Sequence, residues 1–133
     1  MTTTQYWRKL EAYPSDDMMG RTKEAINLLF NACDKGEAVY VAARYDDPAK
    51  TTAKQLYIDF DSKRAYLCFT SEERFAKVGI EDAECVLFRA KDMVQNVLSK
   101  DNVFGLVFNP YCDDMTIVPI EMFIGYAMGQ GGN

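Results

Sequence analysis

The most varied reactive side chains of this sequence lie in one short segment near its carboxyl end, Asn109-Pro110-Tyr111-Cys112-Asp113-Asp114. Carboxylate oxygens are the ligands that hard cations prefer, so Asp113 and Asp114 could bind a divalent ion or a basic partner. Two adjacent acids are nevertheless too few for an ion cage, and Asn-Pro and Asp-Asp are typical of turns. We therefore predict a turn in which Asn109 bonds to its own following backbone, with Tyr111 and the two acids available for binding.

Histidine is absent from the sequence. Its absence excludes Ser-His-Asp and Cys-His catalysis, histidine metal sites and the usual proton shuttle at neutral pH. The cysteines Cys33, Cys68, Cys85 and Cys112 form no Cys-x-x-Cys pair, so neither a zinc site nor a redox dithiol is indicated. Cys112 is the thiol expected to be exposed, but no histidine or nearby lysine would lower its pKa. We predict reduced thiols, no catalytic residue, no metal and no cofactor.

A second polar segment, residues 70–74, reads Thr-Ser-Glu-Glu-Arg. It could bind an anion at the amino terminus of a helix, where free N–H groups and the helix dipole favour negative charge. Glu72 and Glu73 already place negative charge there, however, and Thr70 and Glu73 have the spacing of a capping box. We interpret the segment as structural and keep Arg74 as its one contact candidate.

A predicted β-hairpin carries the best candidate interface. Leu56, Ile58 and Phe60 alternate with polar or aromatic residues, residues 61–64 turn the chain, and residues 65–69 form the returning strand. Tyr57 and Tyr66 fall on the other face of this hairpin, where they could line a contact with a protein partner or with another copy of the chain.

The remaining elements follow from apolar spacing. A helix runs from a possible cap at Thr22 to Gly36, and its apolar residues recur every three or four positions. A β-rich run over residues 38–45 predicts a strand. A short helix ends at Gly79, residues 84–89 predict another strand, and Asp92 is expected to cap a further helix.

The last third predicts two strands, residues 104–108 and 115–118, on either side of the polar loop. Pro119 suits the first position of a closing helix, whose apolar face holds five residues: Ile120, Phe123, Ile124, Ala127 and Met128. The predicted fold is α+β, with a single mixed β-sheet of about five to six strands covered by three to four helices. One domain is expected over residues 1–133, with an irregular or partly helical arm at 1–20 and a flexible tail at 129–133.

The net charge of −5 and pI near 4.7 oppose a general affinity for phosphate backbones, so no nucleic acid is expected as a partner. The apolar runs are too short to span a bilayer, and no signal-peptide pattern opens the sequence. We therefore expect a soluble, intracellular protein without membrane insertion.

Two stretches resemble the amino-terminal domain of the bacterial SseB family, whose members are often labelled enhanced-serine-sensitivity or type III secretion proteins. The first is Phe69-Thr70-Ser71-Glu72-Glu73-Arg74-Phe75, which is similar to the family's junction between strand and helix. The second is Gly105-Leu106-Val107-Phe108-Asn109-Pro110, which is followed by Ile117-Val118-Pro119 and an apolar helix. In element order the resemblance covers roughly residues 22–128.

The resemblance implies a cytoplasmic bacterial accessory or interaction module without an established catalytic residue set. Family members often carry a second, carboxy-terminal domain, and we expect none within these 133 residues. The leading hypothesis is thus a non-catalytic domain that binds a protein or itself. Two alternatives remain open: a small hydrolase or transferase that works with carboxylates and a metal, and a small-molecule sensor with an apolar pocket between sheet and helices.

Overall fold

The structure, a computed structural model, describes residues 2–14 and 16–124. Its helices are α1 (Thr3–Glu11), α2 (Met18–Lys35), α3 (Glu72–Val78) and α4 (Ala90–Leu98). Its strands are β1 (Ala38–Tyr45), β2 (Ala53–Gln55), β3 (Tyr57–Phe60), β4 (Lys63–Phe69), β5 (Glu84–Arg89), β6 (Val103–Phe108) and β7 (Thr116–Pro119). Residues 120–124 are also helical, and we call this segment α5.

All seven strands belong to one mixed sheet. β5 pairs with β1 along its whole length, while the other side of β1 pairs first with β4 and then with β2. Only Leu56 separates β2 from β3 in sequence, and this segment lies between the far end of β1 and the start of β4. β3 pairs with β4, as predicted. β4 lies parallel to β6, which pairs antiparallel with β7. The predicted α+β mixed sheet is confirmed, and the strand count exceeds five to six because Ala53–Gln55 also pairs.

The two faces of the sheet are covered unequally. The main core lies between the sheet and the helices α1, α2 and α4, where Trp7, Leu29, Met93 and Phe108 are fully buried. The other face carries a smaller core around Phe69. Among the described residues, the main cover of this face is the two-turn helix α3, which leaves part of the face open.

The amino-terminal helices are more extensive than predicted. Residues 3–11 form a regular helix with a capping box at Thr2, and its residues Tyr6, Trp7 and Leu10 are buried. α2 begins at Met18, because the carboxylate of Asp17 accepts a hydrogen bond from the backbone N–H of Gly20. The prediction that Thr22 caps this helix is therefore wrong.

Three further boundaries differ from their predictions. Ser71, one residue after the expected Thr70, caps α3 through its hydroxyl, which accepts from the backbone N–H of Arg74. α4 begins directly after β5, and Asp92 lies in its first turn instead of capping it. Pro119 is the last residue of β7 and α5 starts one residue later. Ala127, Met128 and the predicted tail at 129–133 lie outside the described residues.

Candidate functional site

Thr70 and Asn109 join the ends of two parallel strands. Thr70 follows β4 and Asn109 follows β6, and parallel strands end at the same edge of a sheet. The Oδ1 of Asn109 accepts a hydrogen bond from the backbone N–H of Thr70 at 3.0 Å, and its Nδ2 donates to the Thr70 hydroxyl at 2.9 Å. Both residues are fully buried. Asn109 therefore anchors the loop and has no surface to offer a partner, contrary to its predicted role.

Arg74 holds the same loop from α3. Its Nη2 lies 3.1 Å from Asp114 Oδ2 and 3.2 Å from Glu11 Oε1. Asp114 is buried, whereas we predicted an exposed turn acid. Both charges are thus used within the molecule, where they connect α1, α3 and the loop.

Arg21 supports the far side of the loop. This buried side chain donates hydrogen bonds to the backbone carbonyls of Asp113 and Met115, and the Thr22 hydroxyl donates to the carbonyl of Ile117. The start of α2 thereby covers the outer edge of β7. Nothing in the sequence singled out Arg21, because an arginine in the first turn of a helix is ordinarily solvated.

The anchored loop presents one exposed aromatic side chain. Tyr111 is 75% exposed, and its backbone adopts a left-handed conformation with φ +64°. A side chain other than glycine costs about 1–2 kcal/mol in this conformation, so the surrounding contacts must impose it. Asn109 and Asp114, on either side of Tyr111, supply those contacts.

An open apolar groove of about 510 Å³ lies beside Tyr111, between the loop and the β3–β4 hairpin. We call it the loop–hairpin groove, and the following residues line it: Ile58, Asp59, Phe60, Ala65, Val107, Tyr111, Cys112, Asp113, Met115 and Ile117. It occupies the part of the thinly covered sheet face that α3 leaves open. Both charged residues of this lining, Asp59 and Asp113, are acidic.

Tyr57 and Tyr66 lie on the opposite face of the hairpin. Tyr66 is only 3% exposed and belongs to the main core, so it offers almost no surface to a protein partner, contrary to its predicted role. The half-exposed Tyr57 ring lies 5.5 Å from the Tyr66 ring and 4.7 Å from the Arg64 guanidinium. The seven predicted contact residues therefore divide between two sites, with Arg74, Asn109, Tyr111, Asp113 and Asp114 at the loop.

A second groove of about 400 Å³, the tyrosine groove, surrounds Tyr57. The following residues line it: Thr52, Ala53, Lys54, Gln55, Tyr57, Arg64, Tyr66, Asn96 and Lys100. Gln55 is buried there, and its Nε2 donates to the carbonyl of Leu67. Its Oε1 has no hydrogen-bond partner among the described residues.

The thiols are poor nucleophiles in this fold. Burial raises the pKa of Cys68 to about 12 and that of Cys85 to about 11. The pKa of Cys112 is also raised, by partial burial and then by Asp114, although Arg74 and Lys77 oppose the shift. Low thiolate populations at neutral pH follow for all three side chains.

Two observations bear on the metal-dependent and small-molecule alternatives. No group of three or more potential metal-ligating side chains converges within residues 2–14 and 16–124. The apolar cavity between the helices and the sheet, beside Leu29 and Phe123, measures about 10 Å³, which suits at most one water molecule. A metabolite does not fit there.

No helix in the described part of the chain has the length and apolar character needed to cross a membrane.

Comparison with protein families identifies the family of this chain. The family model of the SseB protein N-terminal domain matches residues 21–122, which include the anchored loop, both grooves and every strand. Searches of curated proteins and of solved structures found no match. The matched range covers well over half of the sequence and agrees with the predicted resemblance over residues 22–128, so this chain belongs to the SseB N-terminal domain family.

Proposed function

We propose that this chain is a non-catalytic protein-interaction domain of a bacterial, cytoplasmic accessory protein, and that it binds its partner at the loop–hairpin groove. The observation that carries this proposal is Tyr111, a highly exposed aromatic side chain that an anchored loop holds beside an apolar groove. Exposed tyrosines next to apolar surface are typical of residues that dominate binding energy in protein interfaces.

The loop is well suited to binding because it is already ordered. Hydrogen bonds from Thr70 and Arg21 and the ion pair with Arg74 hold its backbone and both of its ends. Little conformational entropy then remains to be lost when a partner orders the loop. The strained Tyr111 backbone is consistent with selection for the position of this side chain over stability.

The lining of the groove indicates the chemistry of the partner. Ile58, Phe60, Met115 and Ile117 offer apolar contact, and the charged residues of the lining are both acidic. We infer that the occupant is a segment of another protein that carries apolar side chains next to a lysine or arginine. A basic side chain beside the acidic Asp59 and Asp113 gives the interface complementary charge.

Site-specific photocrosslinking in the native host tests this proposal. A photoreactive phenylalanine analogue at position 111 should give one discrete crosslinked protein. The same analogue at Leu98, an exposed apolar residue of α4 outside the groove, serves as the control position. Crosslinks at 111 that match those at 98 would reject the groove as the binding surface.

The identified partner then allows a quantitative test with purified proteins. Tyr111→Ala should weaken binding by roughly tenfold to a hundredfold, as for a central interface tyrosine, and should leave the fold intact by circular dichroism. Leu98→Ala should bind as tightly as the wild-type chain. Unchanged affinity of Tyr111→Ala would overturn the proposal.

A second candidate function rests on the tyrosine groove. The Gln55 Oε1 is buried and has no partner among residues 2–14 and 16–124, and an unpaired buried carbonyl costs about 1–3 kcal/mol unless a water or ligand donates to it. Arg64 and Lys100 supply positive charge nearby, so a small anion with an N–H or O–H donor suits this groove. A thermal-shift screen of small carboxylates and phosphates tests the idea, and a stabilising hit must lose its effect in Gln55→Met.

A further inference from the structure

The two outer strands of the sheet differ in how their edges are covered. At β7, Arg21 and Thr22 donate hydrogen bonds to the carbonyls of Met115 and Ile117. At the other edge, β5 pairs with β1 alone among the described strands. Natural sheets usually protect such edges with proline, a bulge or a central charge, and the central residues of β5 provide none of these.

The hydrogen-bond pattern shows which groups of β5 face outward. The backbone N–H of Ala90 donates to the carbonyl of Glu37, which makes this a hydrogen-bonded pair in the β1–β5 ladder. Hydrogen-bonded pairs alternate along an antiparallel ladder, so Phe88 and Val86 also bond to β1. The carbonyls of Ala38 and Ala42, which lie opposite Arg89 and Cys85, face away from β5, because they accept hydrogen bonds from Trp7 and Leu56 on the other side of β1. Their orientation fits the alternation. The N–H and C=O groups of Cys85, Leu87 and Arg89 therefore point away from the sheet.

We propose that β5 pairs antiparallel with β5 of a second copy of this chain, so that one sheet continues through a symmetric dimer. Only outward-facing residues can form hydrogen-bonded pairs across the new interface. One register brings all three outward-facing residues into pairs. It places Leu87 opposite Leu87 of the second copy and Cys85 opposite Arg89. It forms about six backbone hydrogen bonds, two for each of three pairs, and a slip of two residues loses one pair.

Side chains support this occupant on both faces of the strand. Leu87 is 53% exposed, and the proposed register buries it against its own copy. On the other face, half-buried Val86 would lie opposite half-buried Phe88. The two ends of β5 also carry opposite charges, because the strand begins with Glu84 and ends with Arg89, and antiparallel self-pairing brings each end beside the opposite end of the second copy.

A proline at position 87 tests whether β5 forms the dimer. The N–H of Leu87 makes no bond to β1, so Leu87→Pro removes an intermolecular donor and keeps the ladder within the chain. Sedimentation equilibrium of the full chain should show a dimer whose dissociation constant rises by roughly tenfold or more in Leu87→Pro. Leu98→Ser, which alters a similarly exposed leucine on α4, should dimerise normally.

A crosslinking variant tests the register and remains informative if Leu87→Pro unfolds. Opposed residues of a hydrogen-bonded antiparallel pair have Cα atoms about 5.5 Å apart, which a disulfide can span. Leu87→Cys in a Cys85→Ser background should therefore form a covalent dimer under mild oxidation, whereas Leu98→Cys in the same background should not. A monomeric wild-type chain, or equal crosslinking at positions 87 and 98, would overturn the proposal.

This inference is independent of the groove. Tyr111→Ala should leave dimerisation unchanged, and Leu87→Pro should leave binding at the loop–hairpin groove unchanged, because β5 and the groove lie at different parts of the sheet. The failure of one proposal can thus be told from the failure of the other.

Discussion

Thr70 and Asn109 lie 39 residues apart in sequence and exchange hydrogen bonds through the buried Asn109 amide. They belong to the two segments that carry the resemblance to the SseB family, the strand–helix junction and the strand with its Asn-Pro loop. The two segments thus form one structural unit, in which the end of β4 fixes the loop after β6. This unit holds Tyr111 in position.

Loss of the Asn109 amide should destabilise the fold strongly. Asn109→Ala leaves the Thr70 N–H without its acceptor and places alanine at φ +54°, so we expect a loss of about 3 kcal/mol in the free energy of unfolding, measured with urea. Asn102→Ala is a matched control, because Asn102 is exposed and has φ +58°. Equal losses in the two variants would show that the buried hydrogen bonds contribute nothing.

Arg74 should matter chiefly because it neutralises a buried acid. Arg74→Met leaves Asp114 without its ion-pair partner, and we expect unfolding to become easier by about 2–3 kcal/mol. Asp114→Asn in the same chain should recover much of this loss. Lys54→Met breaks an exposed pair with Asp46 and should cost less than about 0.5 kcal/mol. A double variant no more stable than Arg74→Met would contradict the assignment.

Gly105 should tolerate no side chain, because a Cβ at this position would overlap the backbone of the neighbouring strand β7. A Cβ at this position would lie 2.0 Å from the carbonyl oxygen of Val118, so Gly105→Ala must displace backbone and should cost about 3 kcal/mol or more in thermal or urea unfolding. Gly79→Ala has a left-handed φ but no neighbour within 4 Å, and it should cost about 1–2 kcal/mol. Similar losses for both would argue against close approach of the strands.

Stability should fall at alkaline pH through the buried thiol of Cys68. Its pKa is 9 in the unfolded chain and about 12 in the fold because burial disfavours the thiolate. Between these values the unfolded chain binds fewer protons, so the free energy of unfolding decreases as pH rises, by up to about 1.4 kcal/mol per pH unit from this group. Cys68→Ala should flatten the slope between pH 9 and 12 in urea titrations, and Cys112→Ala should retain most of it. An unchanged slope in Cys68→Ala would refute this origin.

Much of the fold was predictable because its signals are local. The 3.6-residue spacing of α2 and the alternation of β3 and β4 depend only on neighbours in sequence, and the glycines after α2 and α3 adopt the left-handed conformation expected of helix ends. The segments Phe69–Phe75 and Gly105–Pro110 were sufficient to predict the family, and the match to residues 21–122 confirms it.

The tertiary structure decided which side chains remain available to a partner. Asn109 and Asp114 have turn chemistry in the sequence, but their burial depends on Thr70 and Arg74, which reach them across the parallel pair β4–β6. Likewise, Tyr57 and Tyr66 share one hairpin face, but only packing against the main core buries Tyr66. Residue type and spacing determined the elements, whereas burial and edge exposure depend on contacts between distant segments, which local periodicity does not encode.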